Sequence, residues 1–348
     1  MDIDWHQIVF IQRLVEISIS SFCLLVTFYF TYRFHKLVIF NVNFRIVLIA
    51  THLVIAITAV LHPIIHFVPS HWYSVSDGHF LGALVFYTIT FIQNVNVYFV
   101  DLKLLIIGIE RRLAFKNRQN GDAGKLTGVR ILIWTFAVTA FVVAFKNIIA
   151  FLIYRNLPLN ERLLLTFNFD IWAPGAFLAI LLAYASYFYG CYEFKRLNKY
   201  VRESYYRFET LTESYEIKQI DLVLRVIRPL LFAYGVIVVI LTSLVCVMMY
   251  FHFAKFIQLG VGITTICGSL IYSSFCLYNL VTILYMCWHF YPLRIAILND
   301  IQCLCGLRLN SACVNPLQIN EKRNEQDKHF EQLHLYWDCA NPSFWSGY

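Results

Sequence analysis

Two groups of polar residues within apolar segments have types and spacing that could support chemistry. In the first group, Asn94, Tyr98 and Asp101 follow one another at steps of four and three residues, which places them on one face of a helix. An intramembrane carboxylate is costly, and such residues mark functional sites or buried polar networks. We therefore predict a ligand site on this face, with a structural hydrogen-bond network as the alternative. Lys103 lies on another face, and its long stem is expected to carry the amine to the membrane surface.

A histidine pair indicates a different chemistry. His62 and His66 are four residues apart, so both could bind one metal ion from a single helix face. A catalytic zinc site usually needs a third protein ligand and a surrounding shell that orients the ligands. Pro63 marks a helix kink, and no second histidine cluster on another span completes a ligand set, so we predict no metal site and no cofactor. No Gly-rich phosphate loop, Ser-His-Asp arrangement or pair of acid-base carboxylates is evident in the predicted loops, so we expect no enzyme activity. A membrane enzyme with a histidine metal site is kept as an alternative function.

These residues must be positioned by membrane-spanning helices. Of the 348 residues, 59% are hydrophobic and only 14% are charged, and the mean hydropathy of +0.62 is too high for a soluble protein. Seven apolar segments are long enough to cross a bilayer: 14–32, 46–68, 80–109, 131–154, 171–192, 230–253 and 256–290. The predicted fold is an all-α seven-transmembrane-helix bundle within residues 1–309, which include a short amphipathic helix after the seventh span. Residues 310–348 form a polar tail. The third span carries most intramembrane polar residues and should be central.

The distribution of basic residues predicts the orientation of the bundle. Of the 28 Lys and Arg residues, 22 lie in the tail or in loops that the span order places on one side. By the positive-inside rule this side is cytoplasmic, which puts the amino terminus outside and the carboxyl terminus inside. Because the net charge of +7 is spread over several loops, a nucleic-acid partner is not expected. None of the ten cysteines lies in a predicted outer loop, so no external disulfide is expected.

The predicted cytoplasmic segments carry their own patterns. Glu110, Arg111 and Arg112 end the third span, where charged residues commonly anchor a helix at the interface. Residues 193–228 mix eight basic with six acidic residues and several tyrosines, a composition that predicts helical extensions of spans five and six. Cys303 and Cys305 follow an apolar stripe with helical spacing. They are candidates for lipidation, with two reduced thiols as the alternative.

Four short motifs lie at these cytoplasmic joints: Phe40-Asn41-Val42-Asn43-Phe44-Arg45, Gly108-Ile109-Glu110-Arg111-Arg112-Leu113-Ala114, Leu211-Thr212-Glu213-Ser214-Tyr215-Glu216-Ile217-Lys218-Gln219-Ile220 and His289-Phe290-Tyr291-Pro292-Leu293-Arg294. Together they resemble the nematode serpentine chemoreceptors of the Sra-like superfamily, most closely class epsilon (Sre), with the Srb and Srab classes next. The third motif departs from the family pattern at Glu216, Gln219 and Ile220. The Tyr-Glu expected after Ala114 is missing.

The resemblance implies a G-protein-coupled chemosensory receptor of the plasma membrane, located in the cilia of sensory neurons. Its partners would be a small external ligand, a heterotrimeric G protein and membrane lipids. The residues expected to couple to the G protein are Glu110, Arg111, Arg112 and Tyr215. The residues expected to bind the ligand are Asn94, Tyr98, Asp101 and Trp172. A small-solute transporter is the remaining alternative, although no pair of broken helices is evident in the sequence.

Overall fold

A computed structural model describes residues 5–37, 40–75, 78–116, 127–167, 173–204, 211–253 and 257–305 of the protein. Regular structure in these residues is helical throughout. The α-helices are α1 (Trp5–His35), α2 (Val42–Phe67), α3 (Phe80–Asp101), α4 (Lys103–Lys116), α5 (Thr127–Ile153), α6 (Leu159–Phe167), α7 (Ala173–Ser204), α8 (Leu211–Phe253), α9 (Ile257–His289) and α10 (Tyr291–Cys305). Seven of them, α1, α2, α3, α5, α7, α8 and α9, are long and apolar enough to cross a membrane, as predicted.

The spans pack into a closed bundle, because α1 contacts both α2 and α9, and the later spans α7, α8 and α9 contact one another in order. Large apolar side chains cover the outside: Trp288 is 75% exposed and Phe232 is 74% exposed. Such a surface is unfavourable in water and is typical of helices that face lipid. We call the end of the bundle where α1 begins the amino-terminal end, and the opposite end the α10 end.

The third span is one of the two most buried of the described spans, in agreement with its polar content. Every residue from Gln93 to Asp101 is buried, and half of the most apolar stretch of α3 is buried, compared with 17% for α1. The buried side chains include Asn94, Asn96 and Asp101. Because backbone and side-chain polar groups at this depth must find partners in the protein, their positions decide where a site can form.

The start of α2 shows how one of the four motifs contributes to the fold. Asn41 precedes α2, and its side-chain oxygen accepts a hydrogen bond from the Asn43 amide at 3.0 Å, which satisfies one of the unpaired amides of the first turn. The Asn43 side chain in turn accepts a hydrogen bond from the Gly128 amide at 3.0 Å. Gly128 is in the first turn of α5. One short segment therefore begins α2 and fixes the start of α5 against it.

The helix boundaries differ from the sequence prediction in two places. The third span is not one helix, since α3 ends at Asp101 and α4 begins at Lys103. The seventh span ends at His289, close to its predicted end, and Pro292 lies in the first turn of the next helix. The short helix α6, between the fourth and fifth spans, was not predicted. The helical extensions of spans five and six are confirmed, because α7 continues to Ser204 and α8 begins at Leu211.

Candidate functional site

The hydrogen-bond ladder of the third span is interrupted between α3 and α4. The Leu105 amide donates to the Ser186 hydroxyl of α7 at 3.0 Å and not to the Asp101 carbonyl. The Asp101 carbonyl instead accepts a hydrogen bond from the Tyr234 hydroxyl of α8 at 3.2 Å. Broken backbone is tolerated at membrane depth only where such neighbours satisfy it. The interruption, which we call the joint, is therefore held by the fifth and sixth spans.

The Asp101 side chain lines a cavity of about 580 Å³, open part included, between α3, α7, α8 and α9. The cavity extends toward the amino-terminal end, where Ala176 lies near the start of α7 and Met248 near the end of α8. Its walls are mostly apolar, and Asp101 is the one charged lining residue in the described part of the chain. Asp101 is 5% exposed, and its Oδ2 atom has no hydrogen-bond partner among the described residues. A buried acceptor in this state is a candidate contact for a ligand.

Lys103 does not extend to the membrane surface, so that prediction was wrong. Its side chain is 2% exposed, and its amine lies 4.8 Å from the centre of the Tyr278 ring on α9. Glu110, seven residues further along α4 and so on the same face of that helix, is buried as well, and so is Asn96 of α3. This face points into the bundle, and the amine is held by a cation–π contact in place of water.

The other predicted ligand residues are spread along the third span. The Asn94 amide nitrogen donates to the Phe167 carbonyl at 3.0 Å, and the Tyr98 hydroxyl donates to the Gly175 carbonyl at 3.1 Å. These bonds connect α3 to the end of α6 and to the start of α7. Asn94 and Tyr98 are not among the described residues that line the cavity, whereas Asp101 is. Trp172 lies outside the described residues.

A second polar network joins the first, second and seventh spans. His52 Nδ1 lies 2.5 Å from the Asn279 side-chain oxygen, and the Asn279 amide nitrogen donates to the Thr27 hydroxyl at 2.8 Å. All three residues are fully buried. A network that satisfies buried polar groups on three helices fixes the packing of those helices. We assign it a structural role.

The histidine pair contacts a carboxylate that the sequence analysis did not include. His62 Nδ1 lies 2.6 Å from the Glu16 carboxylate of α1, and the Nε2 atoms of His62 and His66 are 3.1 Å apart. The Tyr272 ring stacks on His62 with ring centres 3.8 Å apart. Within the part of the chain that the structure describes, no group of three or more His, Cys, Asp or Glu side chains is arranged to hold a metal ion. Glu16 and His62 form a buried pair between the first two spans.

Near the α10 end, Glu110 and Arg111 form a buried ion pair. Two guanidinium nitrogens of Arg111 donate to the Glu110 carboxylate at 2.5 and 2.6 Å, and the two side chains are 2% and 1% exposed. The guanidinium also lies over the Phe44 ring of α2, 4.7 Å from its centre. Two parallel hydrogen bonds and a ring contact hold the charge in one orientation. Arg111 is thus turned into the bundle.

Arg112 points in another direction, as expected of neighbouring residues in a helix. Its side chain is 53% exposed and donates to Glu193 of α7 at 3.3 Å. Tyr215 lies in α8, but its side chain is outside the part described. The same holds for the side chains of Cys303 and Cys305, which end α10, so their lipidation remains a prediction.

Comparisons with known proteins were made at three levels. No family model, no curated protein and no solved structure matches this chain. The assignment of function therefore depends on the geometry of the cavity, the joint and the buried ion pair.

Sequence reasoning missed several residues of this arrangement. Glu16 lies inside the first predicted span and could have been found by the rule that singled out Asp101, because both are intramembrane carboxylates. Ser186 and Tyr234, which hold the joint, gave no comparable signal. A serine or tyrosine in an apolar helix is common, and only the packing of three spans shows that these two replace a broken hydrogen-bond ladder.

Proposed function

We propose that the protein is a G-protein-coupled chemosensory receptor that senses a small external ligand. The observation that carries this proposal is that the third span contacts both the cavity and the buried ion pair. Asp101 contributes to a cavity in the amino-terminal half of the bundle, and Glu110 and Arg111 form a buried ion pair near the α10 end. The joint lies between them. The third span, α3 and α4 together, thus runs from the cavity to the Glu110–Arg111 pair, and we assign ligand binding to the first place and partner binding to the second.

The orientation follows from the basic residues. Loops and termini at the α10 end carry most of the Lys and Arg residues, and the positive-inside rule places such segments in the cytoplasm. The cavity then extends toward the outside, and the Glu110–Arg111 pair is close to the cytoplasmic G protein. The extended inner ends of α7 and α8 add a helical surface on the same side.

The mechanism is a shift between two arrangements of the bundle. The ligand binds one arrangement more tightly and so increases its population. At the joint the Leu105 amide and the Asp101 carbonyl bond to other helices, although the Leu102 amide still donates to Tyr98 and its carbonyl accepts from Ile106. This local gap allows α4 to reorient against α3 while Ser186 and Tyr234 exchange partners. A reoriented α4 releases Arg111 from Glu110 and Phe44 and exposes its guanidinium. An amphipathic helix of the G protein can then bind between the helix ends.

Membership in the Sra-like superfamily, most closely class epsilon, is part of the proposal. It is supported by the four motifs at the helix joints and by a fold of seven apolar helices. Location in the plasma membrane of sensory-neuron cilia is inferred from the same resemblance. Expression of the receptor in cells that carry a second-messenger reporter, followed by screening of volatile and water-soluble odorants, tests the function. A response that requires the receptor is expected.

A small-solute transporter is the second candidate, because broken helices often line transport sites. The joint in the third span, with Asp101 and Lys103 on either side, is the observation that favours it. Transporter sites are typically built from a pair of such helices in two repeated halves. Among the seven spans as described, the third is the one interrupted within its length. Uptake of a compound that also activates the reporter would favour transport.

The topology gives a prediction that needs no ligand. An epitope placed before Met1 should be stained on intact cells, because the positive-inside rule puts the amino terminus outside. An epitope after Tyr348 should be stained only after permeabilisation. Immunofluorescence of the two tagged proteins provides the measurement. The reverse pattern would exclude the receptor, because the Glu110–Arg111 pair would then face away from any G protein.

A further inference from the structure

We propose that the cavity between α3, α7, α8 and α9 binds a compact apolar molecule that carries a protonated amine, with the amine in contact with the Asp101 carboxylate. This inference rests on the proposed function, since it assigns a chemical class to the ligand of the same cavity. Two independent observations carry it. One is the apolar cavity itself, and the other is a buried carboxylate oxygen at its wall that the described residues leave without a hydrogen bond.

The nearby hydroxyl groups do not supply the missing donor. Tyr234 donates its proton to the backbone carbonyl of Asp101, and Tyr98 donates to the Gly175 carbonyl. Thr242, the other polar residue of the α8 wall, donates to the Val238 carbonyl at 2.7 Å. Each of these hydroxyls has one proton and uses it on a backbone oxygen. These three hydroxyls therefore leave the Oδ2 atom of Asp101 open to a donor on a molecule that enters the cavity.

The charge of that molecule follows from the charge of the site. Lys103 directs its amine to the Tyr278 ring, and within the described residues Asp101 forms no ion pair. A carboxylate that is removed from water without a counter-charge is strongly penalised and takes up a proton instead, whereas an adjacent protonated amine stabilises the charged form. A protonated amine supplies both the charge and the hydrogen bonds, whereas a neutral alcohol supplies one hydrogen bond only.

The walls determine the rest of the molecule. Ala179 and Ala183 of α7 form one side and Phe275 of α9 forms part of another, so a guest meets methyl groups and a ring edge. A volume of about 580 Å³ that includes the open part sets an upper limit to its size. A short alkyl or aryl group buries its surface there and gains the usual hydrophobic free energy. A second charge on the ligand would have no partner in these walls.

The experiment compares three linear six-carbon molecules that differ only in their polar group. The full-length receptor is purified in lipid nanodiscs, and hexylamine, 1-hexanol and hexanoic acid are titrated while the unfolding temperature is followed. We expect hexylamine to bind more tightly than 1-hexanol by about tenfold or more, the size expected of a hydrogen bond to a charged group. Hexanoic acid should bind least, because two carboxylates would meet in a site of low dielectric constant.

Two variants assign the effect to the carboxylate. Asp101→Asn keeps the shape of the side chain and should abolish the preference for the amine over the alcohol. Thr242→Val is the matched control in the same wall, and the preference should persist because the Thr242 proton already binds Val238. If Asp101→Asn does not fold, Asp101→Glu replaces it. The longer side chain keeps the charge and moves it, so amine binding should weaken while the amine remains preferred.

The outcomes separate this inference from the proposed function. Equal binding of hexylamine and 1-hexanol to the wild type, or an amine preference that persists in Asp101→Asn, would overturn the amine assignment. If 1-hexanol binds and activates the second-messenger reporter, the receptor function stands and the amine assignment fails. If hexylamine binds through Asp101 but the reporter stays silent with every bound amine, the assignment stands and the receptor function fails.

Discussion

Replacing Arg111 with alanine is expected to abolish ligand-dependent signalling. In the structure the guanidinium is held by two hydrogen bonds to Glu110 and by the Phe44 ring, and the proposed active arrangement releases it toward the G protein. Alanine removes a group that can bind partner carboxylates or carbonyls in two directions at once. The measurement is the second-messenger response to a saturating ligand at matched surface expression.

Arg111→Ala also disrupts the buried ion pair, and a double variant separates this effect on stability from the effect on signalling. Arg111→Ala leaves the Glu110 carboxylate buried and unpaired, which is a destabilising change in its own right. The double variant Glu110→Gln and Arg111→Ala removes both charges, so its surface level should recover while its signalling stays absent. Arg112→Ala is the neighbouring control and should signal at a level close to wild type, because its exposed side chain makes a long contact to Glu193. Full signalling from Arg111→Ala would show that the pair is only an interfacial anchor.

Gly128→Ala is expected to prevent the bundle from reaching the cell surface. A Cβ atom at Gly128 would lie 2.8 Å from the backbone oxygen of Asn43, closer than real Cβ atoms approach other atoms, and 3.0 Å from the Asn43 Cα atom, which is also a tight contact. Backbone cannot move aside as a flexible side chain can, so α5 would have to separate from α2. That separation would lengthen the bond between the Gly128 amide and the Asn43 side chain. Surface biotinylation should detect a several-fold loss.

Gly108→Ala serves as the matched packing control for this change. Its added Cβ atom would lie 3.3 Å from a ring carbon of Tyr189, a side chain that can shift by a few tenths of an ångström. Surface expression should therefore remain close to wild type. Comparable expression of Gly128→Ala and wild type would mean that the start of α5 does not pack against α2 as described.

The fold was largely predictable, because hydropathy alone determines how many helices can cross a membrane. The joint was not. Kinks are commonly caused by proline or glycine, yet neither occurs between Phe99 and Leu105. The Leu105 amide and the Asp101 carbonyl are bonded by Ser186 and Tyr234, which are distant in the sequence. A local pattern cannot predict a hydrogen bond between spans that are far apart in the chain.

The candidate site was predictable in part for a similar reason. Asp101 could be found because a carboxylate in an apolar helix is rare. The walls of the cavity could not, since Ala179 and Ala183 look like any small residues at a helix contact. The direction of the Lys103 side chain was mispredicted because a lysine can extend its amine to the membrane surface only from a helix face near lipid. In the bundle that face meets Tyr278, and tertiary packing overrides the tendency of a long side chain to reach water.

We expect the cavity at Asp101 and the proposed G-protein site near the Glu110–Arg111 pair to be two coupled sites. Coupling is reciprocal, so a G protein bound at the α10 end must raise ligand affinity by the factor by which the ligand favours G-protein binding. The direct measurement is the affinity of the receptor in nanodiscs for the tightest-binding ligand, with and without nucleotide-free heterotrimeric G protein. We predict an increase of about 5-fold to 150-fold, the usual range for allosteric coupling, that disappears in the Glu110→Gln and Arg111→Ala double variant. An affinity that is the same with and without the G protein would contradict the account.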